Sequence, residues 1–254
     1  MELWSPQHLK TLIPSILIML ALSTAGFFLL GKKSLKIRIL PIQIISGILI
    51  ILELGKQIIS FRNGYDLYHI PLHYCSLFLF VLPLMAFYSG KHKQVVYGMA
   101  AGICASLFLL MLIYPSLIYS GSDIDDYFKR YMAMHTVTFH NLVMLAFLLI
   151  VALKVHTPQK GERKAIVLFM CGFCAISGTM AQVLKTNYAN FYSCNIPPLE
   201  NLRLQIQAVL GYWPTQILYV LIVSLLTVLF TLMSYQFYLL LHKAVNGKKA
   251  AQTV

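Results

Sequence analysis

Charge is what this chain has least of. Only 8 of its 254 residues are Asp or Glu, and charged residues of both signs make up 11%. A soluble domain carries about a quarter, so a water-soluble globular chain is excluded. Cysteine (5) and tryptophan (2) are sparse as well. There is no His-Glu-x-x-His helix and no EF-hand spacing around Asp123, Asp125 and Asp126, whose segment reads as a solvated turn. No repeat relates the two halves, which argues against an inverted-repeat transporter.

What the chain has in excess is apolar: 59% of its residues are hydrophobic, with a mean hydropathy of +0.74. Crossing a bilayer takes about 20 apolar residues. Seven such runs occur, at roughly 11–30, 38–59, 72–88, 95–113, 136–154, 165–184 and 215–240. The fold class is therefore all-α, a polytopic seven-transmembrane-helix bundle, with residues 1–254 forming one membrane domain. No trustworthy cleavage site follows the first run, so 12–30 reads as a retained span.

The formal charge is +12, but the basic residues are scattered between apolar runs instead of forming an aromatic-interleaved face. They read as topology signals and lipid contacts, with phospholipid as the expected partner and nucleic acid not. No cofactor is expected. Of the twenty Lys and Arg, thirteen fall in one alternating set of connections: Lys32, Lys33, Lys36, Arg38, Lys91, Lys93, Lys154, Lys160, Arg163, Lys164, Lys243, Lys248 and Lys249. The richer side is cytoplasmic. The N-terminus then lies outside and the C-terminus inside a cell membrane, expected to be a bacterial plasma membrane.

That orientation gathers the chemistry on one face. The outer side receives His69, His73 and Cys75, then His135 and His140 with Asn141, then the loop from Lys185 to Pro214. Cytoplasmic connections such as 157–164 are short and basic. Pro71 fits the first turn of a helix, which would put Cys75 near a positive helix end that favours a thiolate. Cysteine with histidine is the arrangement of a thiol nucleophile and its general base. His73, two residues from Cys75, points elsewhere on a helix, whereas His140 could reach across the bundle, with Thr136 one turn below it. Other readings stay open: packing, a Cys75–Cys194 disulfide in an oxidising exterior, or a metal held by His69, His73, His135 and His140. Cys171 and Cys174 lie inside an apolar run and read as packing. Glu53 and Lys56, three apart in the second run, form either a structural ion pair or part of a polar pocket. Residues 197–211, opened by Pro197-Pro198 and closed by Gly211, predict an amphipathic helix in the lipid interface, with Tyr212-Trp213-Pro214 as an aromatic anchor.

Leu72-His73-Tyr74-Cys75, His135 to His140-Asn141, Thr186-Asn187-Tyr188, Pro197-Pro198 and Leu210-Gly211-Tyr212-Trp213-Pro214 occur in this order. Over residues 40–240 the chain resembles the bacterial YwaF-type integral membrane proteins, related to eukaryotic transmembrane protein 164. The resemblance implies a seven-helix fold. From the eukaryotic branch it implies a cysteine-dependent phospholipid acyltransferase, with Cys75 carrying the acyl group and a histidine, His140 or His73, assisting. Glu53, Lys56, His69, His135, Asn141, Asn187, Tyr188 and Trp213 are the expected substrate contacts. The alternatives from other classes are a small-molecule transporter or binding protein, and a histidine–metal membrane hydrolase.

Overall fold

The computed structural model describes residues 4–246. Among them the chain is helical with no strand, and six helices are long and apolar enough to cross a membrane. The helices are α1 (Pro6–Leu30), α2 (Leu40–Arg62), α3 (Phe78–Phe87), α4 (Lys93–Ile113), α5 (Tyr131–Ala152), α6 (Glu162–Leu184), α7 (Pro197–Leu210) and α8 (Tyr212–Asn246). A short helix at Leu35–Arg38 leads into α2, and another at Gly121–Asp125 precedes α5.

The third segment departs from expectation, for a local reason. Proline pushes the residue before it out of the helical region, and Ile70 sits at ψ 133°. Pro71 therefore separates two 3-10 turns, Leu67–His69 and Tyr74–Leu77, instead of opening a helix. His69 and His73 do not share a helix face. The apolar segment Tyr74–Phe87 is four residues of 3-10 turn and ten of α-helix, about 23 Å long. That falls short of a hydrocarbon core of roughly 30 Å, and the shortfall leaves a well at one end of the bundle.

The chain alternates between two ends. At the well end, His8 on α1 donates from Nε2 to the Tyr119 carbonyl (2.9 Å), and Glu53 late in α2 meets His135 early in α5. At the opposite end, Gln43 early in α2 donates to the Ala86 carbonyl at the end of α3 (3.0 Å). There Arg38 caps α5 through bonds to the carbonyls of Leu153 and Lys154 (2.8 and 2.7 Å), satisfying groups that a helix C-terminus leaves open. Lys154 reaches the Val245 carbonyl. The crowded basic set lies at this opposite end, except Lys248 and Lys249, which fall outside the described residues.

Between membrane helices, lipid is as apolar as leucine, so close approach and hydrogen bonds hold the bundle. α4 is its centre: every residue from Tyr97 to Phe108 is buried. Gly98 and Gly102 let α6 and α8 approach it, for a Cβ at Gly98 would run into the Glu162 carboxylate and one at Gly102 would meet Tyr235 at 2.9 Å. Around that contact lies a buried polar network. Tyr238 donates to His156 Nδ1 (2.8 Å), and His156 donates from Nε2 to Glu162 Oε1 (2.9 Å). Tyr235 and the Gln159 amide also donate to the Glu162 carboxylate, and His242 donates to the His156 carbonyl.

α7 forms as the proline and glycine punctuation predicted, ending at Gly211 with φ +83°. Its charged face turns inward: Arg203 donates to both Glu200 oxygens (2.9 and 2.6 Å) and lies over the Tyr219 ring of α8. Leu199, Leu202, Val209 and Leu210 face outward, as an interfacial helix requires. The Arg203 hydrogen bonds hold the Glu200 carboxyl below its ordinary 4.5 despite partial burial. A lowered carboxylate stabilises above its unfolded value, and that contribution fades as pH falls through the lower folded value. Acid below about pH 4.5 is thus expected to loosen α7 before the bundle, read as faster amide exchange over 197–210. Glu200→Gln should abolish that pH dependence; exchange that stays equally acid-sensitive would contradict this.

Candidate functional site

The well is a cavity of about 510 Å³, within the roughly 300–1,000 Å³ of small-ligand sites. Its floor is Tyr74, whose hydroxyl bonds Ser106 of α4 and Thr231 of α8. Its walls bring together Glu53, Lys56, His69, His73, Cys75, His135, His140 and Asn187. Residues from four separate regions of the chain thus converge as the one-sided distribution predicted. Asn141, Tyr188 and Trp213 do not line it. The Asn141 Oδ1 is buried without a hydrogen bond. Tyr188 supports the wall from behind, packing edge-on to His73 and donating to the Leu67 carbonyl. Trp213 stands outward beside a shallow groove between α6 and α8.

Cys75 is a free thiol, half-buried in the 3-10 turn that opens the third segment. No side chain caps that turn, because the His73 side chain is used elsewhere: its Nε2 donates to the Tyr68 carbonyl (2.8 Å). Burial pushes the His73 imidazole below its ordinary value, with Lys56 and His69 acting the same way against the Tyr68 hydrogen bond. His73 is therefore neutral near pH 7. His140 is fixed differently. Its Nδ1 lies 2.6 Å from the Thr136 carbonyl, which can only accept, so Nδ1 holds the proton and Nε2 presents a lone pair. Among the described residues Nε2 has no protein partner.

A second cluster forms the polar rim. Lys56 pairs with Glu53 at 2.7 Å, and Gln57 donates to the same carboxylate oxygen and to the His69 carbonyl. His135 stacks on Phe139 with its Nε2 3.3 Å from Glu53 Oε2, off the hydrogen-bond line. Burying such a pair costs desolvation that its mutual attraction only partly offsets, so a polar cavity beside it accounts for its place within a span. Among the described residues, no three of His, Cys, Asp and Glu converge as a metal-ligand set. Cys75 and Cys194 are both free, and the Cys194 amide donates to Glu200.

The loop that closes the cavity was expected to contribute Asn187 and Tyr188, but not the residues that follow them. Ala189, Asn190, Phe191 and Asn195 line it. Asn187 organises the loop, accepting from the amides of Tyr192 and Ser193 and donating to Asn195 (each 3.2 Å). Ala189 and Asn190 take φ +48° and +63°, a conformation that costs a non-glycine residue about 1–3 kcal/mol. Asparagine is enriched at such positions, which is the signal that Asn187-Tyr188-Ala189-Asn190 offered.

No curated protein and no solved structure matches the chain. The model of the TMEM164 family matches residues 3–243, nearly the whole length and every element that lines the cavity. The chain is a multi-pass membrane protein that belongs to the TMEM164 family.

Proposed function

We propose that the chain moves fatty-acyl groups between phospholipids on the extracytoplasmic side of the membrane, through a thioester on Cys75. The observation that carries this is the shared cavity: the Cys75 thiol and the uncommitted Nε2 of His140 line the same walls. The resemblance to the eukaryotic branch described above points to the same chemistry. Basic residues crowd the end away from the cavity, which supports reading the cavity end as the outer face. Cytosolic acyl-CoA does not reach that face, so the donor is itself a phospholipid.

His140 Nε2 takes the Cys75 proton, and Sγ attacks the donor ester carbonyl. The negative oxygen of the tetrahedral intermediate is held by the amides of Tyr74 and Cys75, which the uncapped 3-10 turn leaves open while the Ser76 amide bonds the His73 carbonyl. Collapse breaks the ester C–O bond, and the leaving lysophospholipid takes the proton from His140. An acceptor lysophospholipid hydroxyl then gives its proton to His140 and attacks the thioester, and Cys75 regains its hydrogen. Glu53 and Lys56 sit where a polar head group lies, and the phenylalanine walls take the chain. A second reading, retention of a small polar solute without chemistry, is favoured by the Glu53–Lys56–His135 cluster alone.

Proteoliposomes holding a phospholipid with a labelled chain and an unlabelled lysophospholipid separate the two. Label should move to the acceptor with the wild-type chain. His140→Gln should slow it by roughly 10²–10⁴-fold, the usual contribution of a general base. Transfer at the wild-type rate by His140→Gln would remove His140 from the chemistry, and no transfer by the wild type would favour the binding reading.

A further inference from the structure

We infer that the cavity is loaded sideways from the bilayer: one chain of a phospholipid slides in between α8 and the turn after α4, and Leu226 is the post of that slot. This rests on the phospholipid reading above. α4 and α8 run antiparallel and in register, Gly102 against Tyr235 and Ser106 bridged to Thr231 through Tyr74. The next pair in that register, Leu110 and Thr227, lines the cavity, so the two helices part there. α4 then ends at Ile113, and Tyr114 at φ −145° turns the chain into Pro115–Leu117. α8 runs on without it.

Leu117 and Leu226 line the cavity yet are 37% and 59% exposed. Their neighbours Ile113, Leu225 and Leu229 belong to the lipid-facing surface, so the wall opens there into hydrocarbon. A lateral opening at Leu117 and Leu226 lets one chain of a phospholipid enter the cavity while the other stays in the bilayer. The polar rim of Glu53 and Lys56 lies at the well end, so head group and chain enter in a fixed orientation.

The test uses the full chain in proteoliposomes with a phospholipid carrying a photoactivatable diazirine in one chain. Cross-links are expected on peptides containing 110–117 and 226–230. Leu226→Trp should cut them roughly tenfold, the scale at which one misfitted group acts in an apolar pocket. Leu225→Trp, on the lipid face but outside the cavity, should not. Labelling of Cys75 by a small water-soluble thiol reagent should be unchanged in both variants. Should Leu226→Trp also lose that labelling, Leu226→Ala replaces it and should raise the cross-links. Cross-links indifferent to both variants at 226 would overturn the slot. Cross-linking reads binding and not transfer: slot cross-links without acyl transfer would sink the acyltransferase, and transfer with cross-links indifferent at 226 would sink only the slot.

Discussion

Replacing Cys75 by serine is expected to take acyl transfer down to background, a fall of at least ~10³-fold. Loss of a nucleophile has effects of that size or larger where a residual rate comes from binding and oxyanion stabilisation alone. The substitution is nearly isosteric, and Cys75 occupies a half-buried place in a 3-10 turn, so the fold is expected to survive. A serine hydroxyl gives up its proton far less readily than a thiol and is the weaker nucleophile beside the same histidine base. Lipid cross-linking at the cavity should persist in Cys75→Ser while transfer disappears. Transfer retained within about tenfold would mean that Cys75 is packing and that the histidines act without it.

The second large effect lies at the other end of the bundle. Glu162→Ala is expected to destabilise the chain by about 3–5 kcal/mol, the range for removing one partner of a buried pair. His156, Tyr235 and the Gln159 amide all donate to that carboxylate, and His156 and Tyr235 would be left buried without an acceptor. Glu162→Gln keeps an acceptor oxygen and should cost less. The measurement is a denaturation midpoint in detergent micelles for both variants. A change under about 1 kcal/mol for Glu162→Ala would show that the network contributes little.

Six of the seven spans were legible because sustained apolar length is a strong signal. The third is there as the shorter apolar segment Tyr74–Phe87, but its start was misplaced, because Pro71 has two readings: it starts helices, and it also expels the preceding residue from them. The second effect decided the local structure at Ile70. Convergence of Glu53, Lys56, His69, His73, Cys75, His135 and His140 followed from sorting polar residues by face, which needs only span order and basic asymmetry. Asn141 and Trp213 were assigned on adjacency to those motifs, and adjacency along a helix turns a side chain by about 100° per residue. The His156–Glu162 network escaped notice because its partners Tyr235 and Tyr238 are remote in sequence, and Glu162 stands among lysines and arginines like any linker charge. Its one local trace was the pair Gly98 and Gly102, four apart on one helix face.

Mass spectrometry of the chain after brief exposure to phospholipid, without reductant and beside Cys75→Ser, tests the central claim most directly. The account expects a fatty-acyl mass on the peptide containing Cys75, removed by hydroxylamine, discharged by added lysophospholipid and missing from the variant. An unmodified Cys75 peptide under conditions where labelled chains do move between lipids would contradict it.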